Sequence, residues 1–132
     1  MRAVLLIILG GFGVAVFGMA ITSREWKSIG AADDGTEVLL NIPSIQNNGN
    51  DRAAWIKLMP ARNTAGKGDK SVSYRLMHLR FQCRDDTYAT DGDIIYYANG
   101  TRRKAPPSVT LVPEPIPPGT LVSWEKRVIC DR

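Results

Sequence analysis

The longest strand candidate in the chain is VSYRLMHLRFQC, residues 72–83. Successive side chains of a strand point to opposite faces of its sheet. One face of this stretch carries Met77, Leu79, Phe81 and Cys83, and the other carries Val72, Tyr74, Leu76, His78, Arg80 and Gln82. The first set is apolar and the second turns polar towards its end, which predicts one buried face and one half-solvated face. This pattern is typical of an antiparallel sheet that is packed on one side.

Turn residues divide the rest of the chain into further short strands. Asp33-Asp34-Gly35 predicts a tight turn between two strands, and Asn99-Gly100 is the strongest hairpin signal in the sequence. The polar, aperiodic residues 60–70 predict an exposed loop. The predicted strands are 26–29, 36–42, 53–59, 88–90, 94–98 and 101–105.

The C-terminal segment has a helical pattern. Leu121, Trp124 and Val128 recur at helical spacing, and three consecutive charges at 125–127 do not suit a strand with one buried face. Thr120 is a suitable N-cap, and the proline-rich residues 113–118 predict a rigid, extended approach to the helix. The predicted fold class is therefore α+β, an antiparallel β-sheet with a short C-terminal helix packed on it and one disulfide.

The first 20 residues have the three parts of a cleavable signal peptide. Arg2 supplies the positive charge, residues 4–16 are uncharged and mostly apolar, and Gly18-Met19-Ala20 is a small-x-small cleavage site. We expect cleavage after Ala20, which leaves residues 21–132 as a single domain in the periplasm or outside the cell, with no stable membrane span. The alternative is a retained anchor, because residues 3–21 are just long enough to span a bilayer.

Two cysteines, Cys83 and Cys130, remain in the expected mature chain. An even count in an oxidising compartment predicts one disulfide between them. A zinc site is excluded, because two Cys and one His at no recognisable spacing cannot complete its ligand shell. We expect no metal and no cofactor.

The formal net charge of +4 at pH 7 points weakly to anionic partners. Arg62, Lys67 and Lys70 in the predicted loop are the candidate contacts for an anion or a partner, and an ordinary solvated loop is the alternative. The loop lacks the glycine and lysine spacing of a phosphate-binding loop. It also lacks interleaved aromatic residues, which argues against nucleic acid as a partner.

The only histidine, His78, precedes Cys83 by five residues. An odd separation on a strand places the two side chains on opposite faces, so they cannot form a catalytic pair. Asp85-Asp86 and Asp91-Gly92-Asp93 are more typical of turns than of an acid–base pair. We expect no catalytic residues and a structural role for His78, although a neighbouring strand could supply a carboxylate to it.

A series of short motifs follows in order along residues 26–130. They are an early Trp26, Asp34-Gly35 before an apolar strand, Ser44-Ile45 before a polar turn, Trp55-Ile56-Lys57, a tyrosine-containing strand ending in Cys83, a tyrosine-rich strand before Asn99-Gly100-Thr101, Ile116-Pro-Pro-Gly-Thr120, and a terminal Cys130. This order resembles the bacterial surface-adhesin protein E family. The resemblance implies an antiparallel sheet, a disulfide from the long strand to the C-terminal helix, and a tendency to form homodimers.

The same resemblance implies a non-catalytic binding domain. The namesake of the family is a surface lipoprotein that binds host matrix proteins such as vitronectin and laminin, so the expected partner is a protein or another extracellular macromolecule. The chain departs from the namesake in lacking a lipid-acceptor Cys after the apolar run. The alternative function is a periplasmic housekeeping or inhibitor-type protein with no adhesive role.

Overall fold

The structure is a computed structural model that describes residues 25–62, 65–104 and 112–132. Within these ranges, one antiparallel sheet of eight strands carries a single α-helix on one of its faces. The predicted α+β class is confirmed. The predicted signal peptide, residues 1–20, lies outside the described residues.

Strand pairing gives the sheet the order β1-β2-β4-β5-β6-β7, in which every pair is antiparallel. Two short strands lie off this path, since β3 pairs with β4 and β8 pairs with β6. The elements are β1 Trp26–Ala31, β2 Glu37–Asn41, β3 Gln46–Asn48, β4 Asp51–Met59, β5 Val72–Gln82, β6 Thr87–Tyr97, β7 Arg102–Lys104, β8 Glu114–Pro115 and α1 Leu121–Cys130.

The long predicted strand is confirmed as β5, with Leu79 and Phe81 buried on one face. The two strands predicted at 88–90 and 94–98 are instead one continuous strand, β6. The pairing shifts register beside Asp91, because Leu79 faces Thr90 while His78 faces Gly92. A bulge of this kind inserts one residue without ending the strand. The turn-forming residues Asp91-Gly92-Asp93 therefore lie within β6 and do not separate two strands.

The predicted C-terminal helix is confirmed, and Thr120 is its N-cap. The Thr120 hydroxyl accepts a hydrogen bond from the Ser123 amide at 3.3 Å and donates one to the Pro117 carbonyl at 2.7 Å. Thr120 therefore satisfies one of the amides that a helix N-terminus leaves without a partner.

The core lies between α1 and the sheet. Its fully buried members are Val38, Leu40, Ala54, Ile56, Leu79, Phe81 and Ile129. These residues alternate along β2, β4 and β5, so a single face of the sheet supplies all of them except Ile129, which comes from α1. We call this the helix face.

The disulfide between Cys83 and Cys130 joins the end of β5 to the last residue of α1, as predicted. Two further contacts secure the same end of the helix. The Arg52 guanidinium donates to the Ile129 carbonyl at 3.0 Å and to a main-chain oxygen of Arg132 at 2.5 Å. Lys126 forms an ion pair with Asp86. Carbonyls at a helix C-terminus carry partial negative charge, so a guanidinium is a favourable partner for them.

Throughout 25–62, 65–104 and 112–132, the structure has no helix with the length and apolar character needed to cross a membrane.

Candidate interaction surface

The face of the sheet opposite the helix face is built largely from rings. Alternation along the strands places Trp55 and Lys57 of β4, Tyr74 and His78 of β5, and Tyr96 of β6 on this side, together with Trp26 of β1. All six are half-buried, and no described helix or strand covers them. We call this surface the outer face.

Lys57 lies between two rings of the outer face. Its Nζ is 4.4 Å from the centroid of the Trp26 ring and 5.1 Å from that of Tyr74. A cation at this distance is attracted by the electron-rich faces of both rings, by about 0.5–1 kcal/mol for each exposed pair. The Lys57 ammonium therefore links the Trp26 and Tyr74 rings while it stays close to solvent.

Two more ring pairs extend the outer face across β4, β5 and β6. Tyr74 and Tyr96 are stacked, with centroids 4.5 Å apart and planes 20° apart. Trp55 and His78 lie 5.0 Å apart. The Trp55 ring reaches across β5 to Gly92 on β6, where an added Cβ would lie only 2.9 Å from the ring. The bulge and Gly92 thus provide the space in which the indole rests against the sheet.

A side-chain hydrogen bond also holds the backbone of β4 at Trp55. Its amide donates to the Ser44 hydroxyl at 2.9 Å, at a point between the parts of β4 that pair with β2 and with β3. The Ser44 hydroxyl in turn donates to the Asn41 carbonyl at 2.7 Å. A side chain therefore completes the hydrogen bonding of β4 where no strand partner is available.

His78 is hydrogen-bonded through Nδ1 to the Asp91 carboxylate. Their side chains are 18% and 26% exposed, so the pair is accessible from the outer face. An imidazole oriented by a carboxylate needs a nucleophile or a substrate in reach to act in catalysis. Both cysteines are in the disulfide, and within the described ranges no hydroxyl hydrogen-bonds to His78.

The basic residues predicted as contacts are dispersed along the β4–β5 connection. Lys70 lines an open depression of about 320 Å³ together with Tyr97, Asn99 and Thr101. Lys67 is exposed three residues earlier, and Arg62 is exposed beside Ala61. Because Ala61 approaches Gly35 of the β1–β2 turn, Arg62 lies towards the β1 side of the sheet, away from Lys70.

On the helix-face side of the sheet, Glu125 and Arg75 have shifted pKa values. Burial raises the pKa of Glu125 on α1 to about 7, since the charged form loses its hydration. Hydrogen bonds to the Asp93 carboxylate, one of them 2.6 Å from Arg75 Nε, raise the pKa of Arg75. Both effects lie on the helix-face side of the sheet and belong to its packing.

The sequence model of the family described as surface-adhesin protein E matches residues 26–131. The chain belongs to the surface-adhesin protein E family. No curated protein matches the chain significantly, and no solved structure does. Membership of the surface-adhesin protein E family supports an adhesin-like role for the domain, with extracellular partners, at the level of the family.

Sequence reasoning missed the outer face as a unit. The ring residues come from four strands that are distant along the chain, and only the register brings Tyr74 opposite Tyr96 and Trp55 opposite His78. Alternation alone did predict that Tyr74 and His78 share a face. A search of each predicted strand for aromatic residues on the face opposite its apolar residues would have found part of the surface.

Proposed function

We propose that this protein is an exported, non-catalytic binding domain that holds an extracellular macromolecule, in the first instance a host matrix protein, against its outer face. The observation that carries the proposal is the cluster of half-exposed rings around Lys57 on a sheet face that no described element covers. Family membership supports an extracellular partner.

The chemistry of the outer face suits a protein partner. Tryptophan and tyrosine, with arginine, are the residues that contribute most to binding at protein interfaces, because their large rings lose water on contact and retain a polar group. Here two Trp and two Tyr lie on one face with a cation and a His–Asp pair among them. Stacking between neighbouring rings fixes their positions in advance, which reduces the entropy lost on binding.

Neighbouring tyrosines of β6 provide a matched pair of variants. Tyr96 lies on the outer face, whereas Tyr97 lies beside Lys70 in the depression. We expect Tyr96→Ala to weaken binding of immobilised vitronectin or laminin by about tenfold or more, the effect of losing about 1.4 kcal/mol. Tyr97→Ala should change it by less than about threefold. Thermal melts of both variants check that the fold is retained.

Equal affinities of the wild type and Tyr96→Ala for both matrix proteins would contradict the use of the outer face. Labelling intact cells with a membrane-impermeant amine reagent tests the location separately. Modification of the protein on intact cells supports an adhesin. Modification only after the outer membrane is opened supports the alternative, a periplasmic housekeeping or inhibitor-type protein.

A further inference from the structure

One corner of the sheet concentrates positive charge. The β4–β5 connection meets the β6–β7 turn there, because the amides of Ala98 and Asn99 donate to the carbonyls of Ser71 and Asp69 at 2.9 and 3.3 Å. This contact brings together two sets of cations that lie about thirty residues apart in the sequence. They are Lys67, Lys70, Arg102, Arg103 and Lys104, which we call the basic corner.

The basic corner carries a local excess of positive charge. Its five cations and the single acid among them, Asp69, sum to +4. All five cations are exposed, and no acidic residue in the described ranges forms an ion pair with any of them. The acidic residues Asp33, Asp34 and Glu37 lie at the β1–β2 turn, on the opposite side of the sheet from β7. An anion near this end of the sheet is therefore attracted to the basic corner.

The three cations of β7 point to both sides of the sheet. Arg102 pairs with Tyr96 and Lys104 with Ile94, so both lie on the outer-face side, while Arg103 pairs with Ile95 and lies on the helix-face side. A flat bilayer meets only one side of such an edge. A flexible, linear polyanion that passes along the edge contacts all three charges.

The depression beside Lys70 offers polar groups for an uncharged part of the same ligand. It measures about 320 Å³ and combines the Lys70 ammonium with the Tyr97 phenol, the Asn99 amide and the Thr101 hydroxyl. Asn99 Oδ1 accepts from the Thr101 amide at 2.9 Å and from its hydroxyl at 2.6 Å, which fixes the lining. Hydroxyl and amide groups around one aromatic ring suit a hydroxyl-rich sugar ring.

We propose that the basic corner binds a linear sulfated polysaccharide, with sulfate groups on Arg102, Arg103 and Lys104 and a sugar ring in the depression beside Lys70. Guanidinium groups suit this ligand, because their planar N–H groups can bond two oxygens of one anionic group. The site is separate from the protein partner proposed for the outer face and does not depend on it.

The test measures binding of a fluorescent heparin decasaccharide by anisotropy. The triple variant Arg102→Gln, Arg103→Gln, Lys104→Gln is compared with Lys27→Gln, Arg80→Gln, Arg84→Gln, which removes three exposed cations elsewhere and has the same net charge. We expect the corner variant to lose at least about tenfold in affinity and the control less than about threefold, with the difference shrinking at high salt. Lys70→Gln, which leaves β7 intact, should weaken binding on its own if the triple variant does not fold.

Competing ligands decide the class of partner. The chemically desulfated decasaccharide, phosphatidylglycerol vesicles and single-stranded DNA of matched charge are measured in parallel, and each should bind more weakly than the sulfated sugar. Equal losses in the two triple variants, or tighter binding to vesicles or DNA, would overturn the proposal. Trp26→Ala, an outer-face variant on β1 at the opposite side of the sheet from β7, should leave sugar binding intact, so failure of one proposal is distinguishable from failure of the other.

Discussion

Gly30 faces the Trp124 ring across the helix face. It sits at a register shift in β1 with φ of +142°, and a Cβ built on it would lie 2.6 Å from two carbons of that ring. Gly49 also has a positive φ, of +70°, but an added Cβ there meets nothing within 4 Å. Substitution strains the backbone at both glycines, but only at Gly30 does an added side chain also collide with a neighbour.

We expect Gly49→Ala to cost about 1–2 kcal/mol, the usual penalty for a left-handed backbone. Gly30→Ala should cost a further 1–3 kcal/mol or so, because the tryptophan must shift within a packed core. Urea denaturation of both variants measures the difference. Equal costs would mean that Trp124 moves away freely and does not fix the helix on the sheet.

Glu125 makes the stability depend on pH. It is 3% exposed, and its pKa of about 7 lies above the ordinary value of 4.5. The folded state therefore holds the proton more tightly, so this contribution is complete below pH 4.5 and is lost as pH rises towards 7. The loss amounts to roughly 3 kcal/mol for such a shift in pKa.

Glu125→Gln should remove that slope and make the protein more stable than wild type at pH 8. Glu114→Gln, at an exposed position of β8, should leave the slope unchanged. Chemical denaturation of the three proteins between pH 4.5 and 8 gives the comparison. A slope that persists in Glu125→Gln would assign the pH dependence to another group.

His78 shows how far residue-level prediction reached. Alternation correctly placed it on the face opposite Cys83, and the idea that a neighbouring strand could supply a carboxylate was correct. Asp91 could not be named as that carboxylate, because the bulge in β6 shifts the pairing by one residue and is not encoded in the alternation. Burial of Glu125 was also unforeseen, since one charge in a run of three indicates solvent exposure on average.

We expect His78→Ala to cost about 1 kcal/mol or less, as is usual at a half-exposed site. A double-mutant cycle with Asp91→Ala should give a coupling below about 1 kcal/mol, because both side chains retain contact with water. A loss of several kcal/mol in thermal melts would instead show that the pair belongs to a buried network.

At the scale of elements, the disulfide fixes α1 to β5. It closes a span of 47 residues, for which loop-closure entropy predicts about 4 kcal/mol of stabilisation. Replacing both Cys83 and Cys130 by Ala should cost about 2–5 kcal/mol in guanidinium denaturation. Wild type unfolded in the presence of a reductant serves as the control, and should approach the variant. An unchanged midpoint would mean that Arg52 and the apolar contacts hold the helix without the bond.

Prediction of elements succeeded where a strand or helix had its own local pattern. The β1–β2 hairpin, β4, β5, the turn at Asn99-Gly100 and α1 were all expected. The two-residue β8 was not, because proline-rich sequence gives no strand signal and Glu114 pairs with Tyr88 only through tertiary structure. The guanidinium of Arg52 at the helix C-terminus was likewise invisible, since the two lie about 80 residues apart.

At the scale of the whole molecule, we propose that the first 20 residues direct export and are then removed. We expect the exported protein to begin at Ile21, which N-terminal sequencing or intact mass determines. Replacing Ala20 by a bulky residue should block processing, because the cleavage site accepts only small side chains at that position. A mature protein that still carried residues 1–20 would show that this segment is a retained anchor.

Strand order and disulfide together determine what happens when the backbone is cut. The bond between Cys83 and Cys130 encloses β6, β7 and β8, and with them Arg102, Arg103 and Lys104. Hydrolysis of a peptide bond anywhere inside that span yields two fragments that remain covalently joined, and β5 still pairs with β6. A cut within that span therefore leaves β6, β7 and β8 attached to the rest of the chain until the disulfide is reduced, whereas a cut in the β4–β5 connection, which lies outside the span, does not.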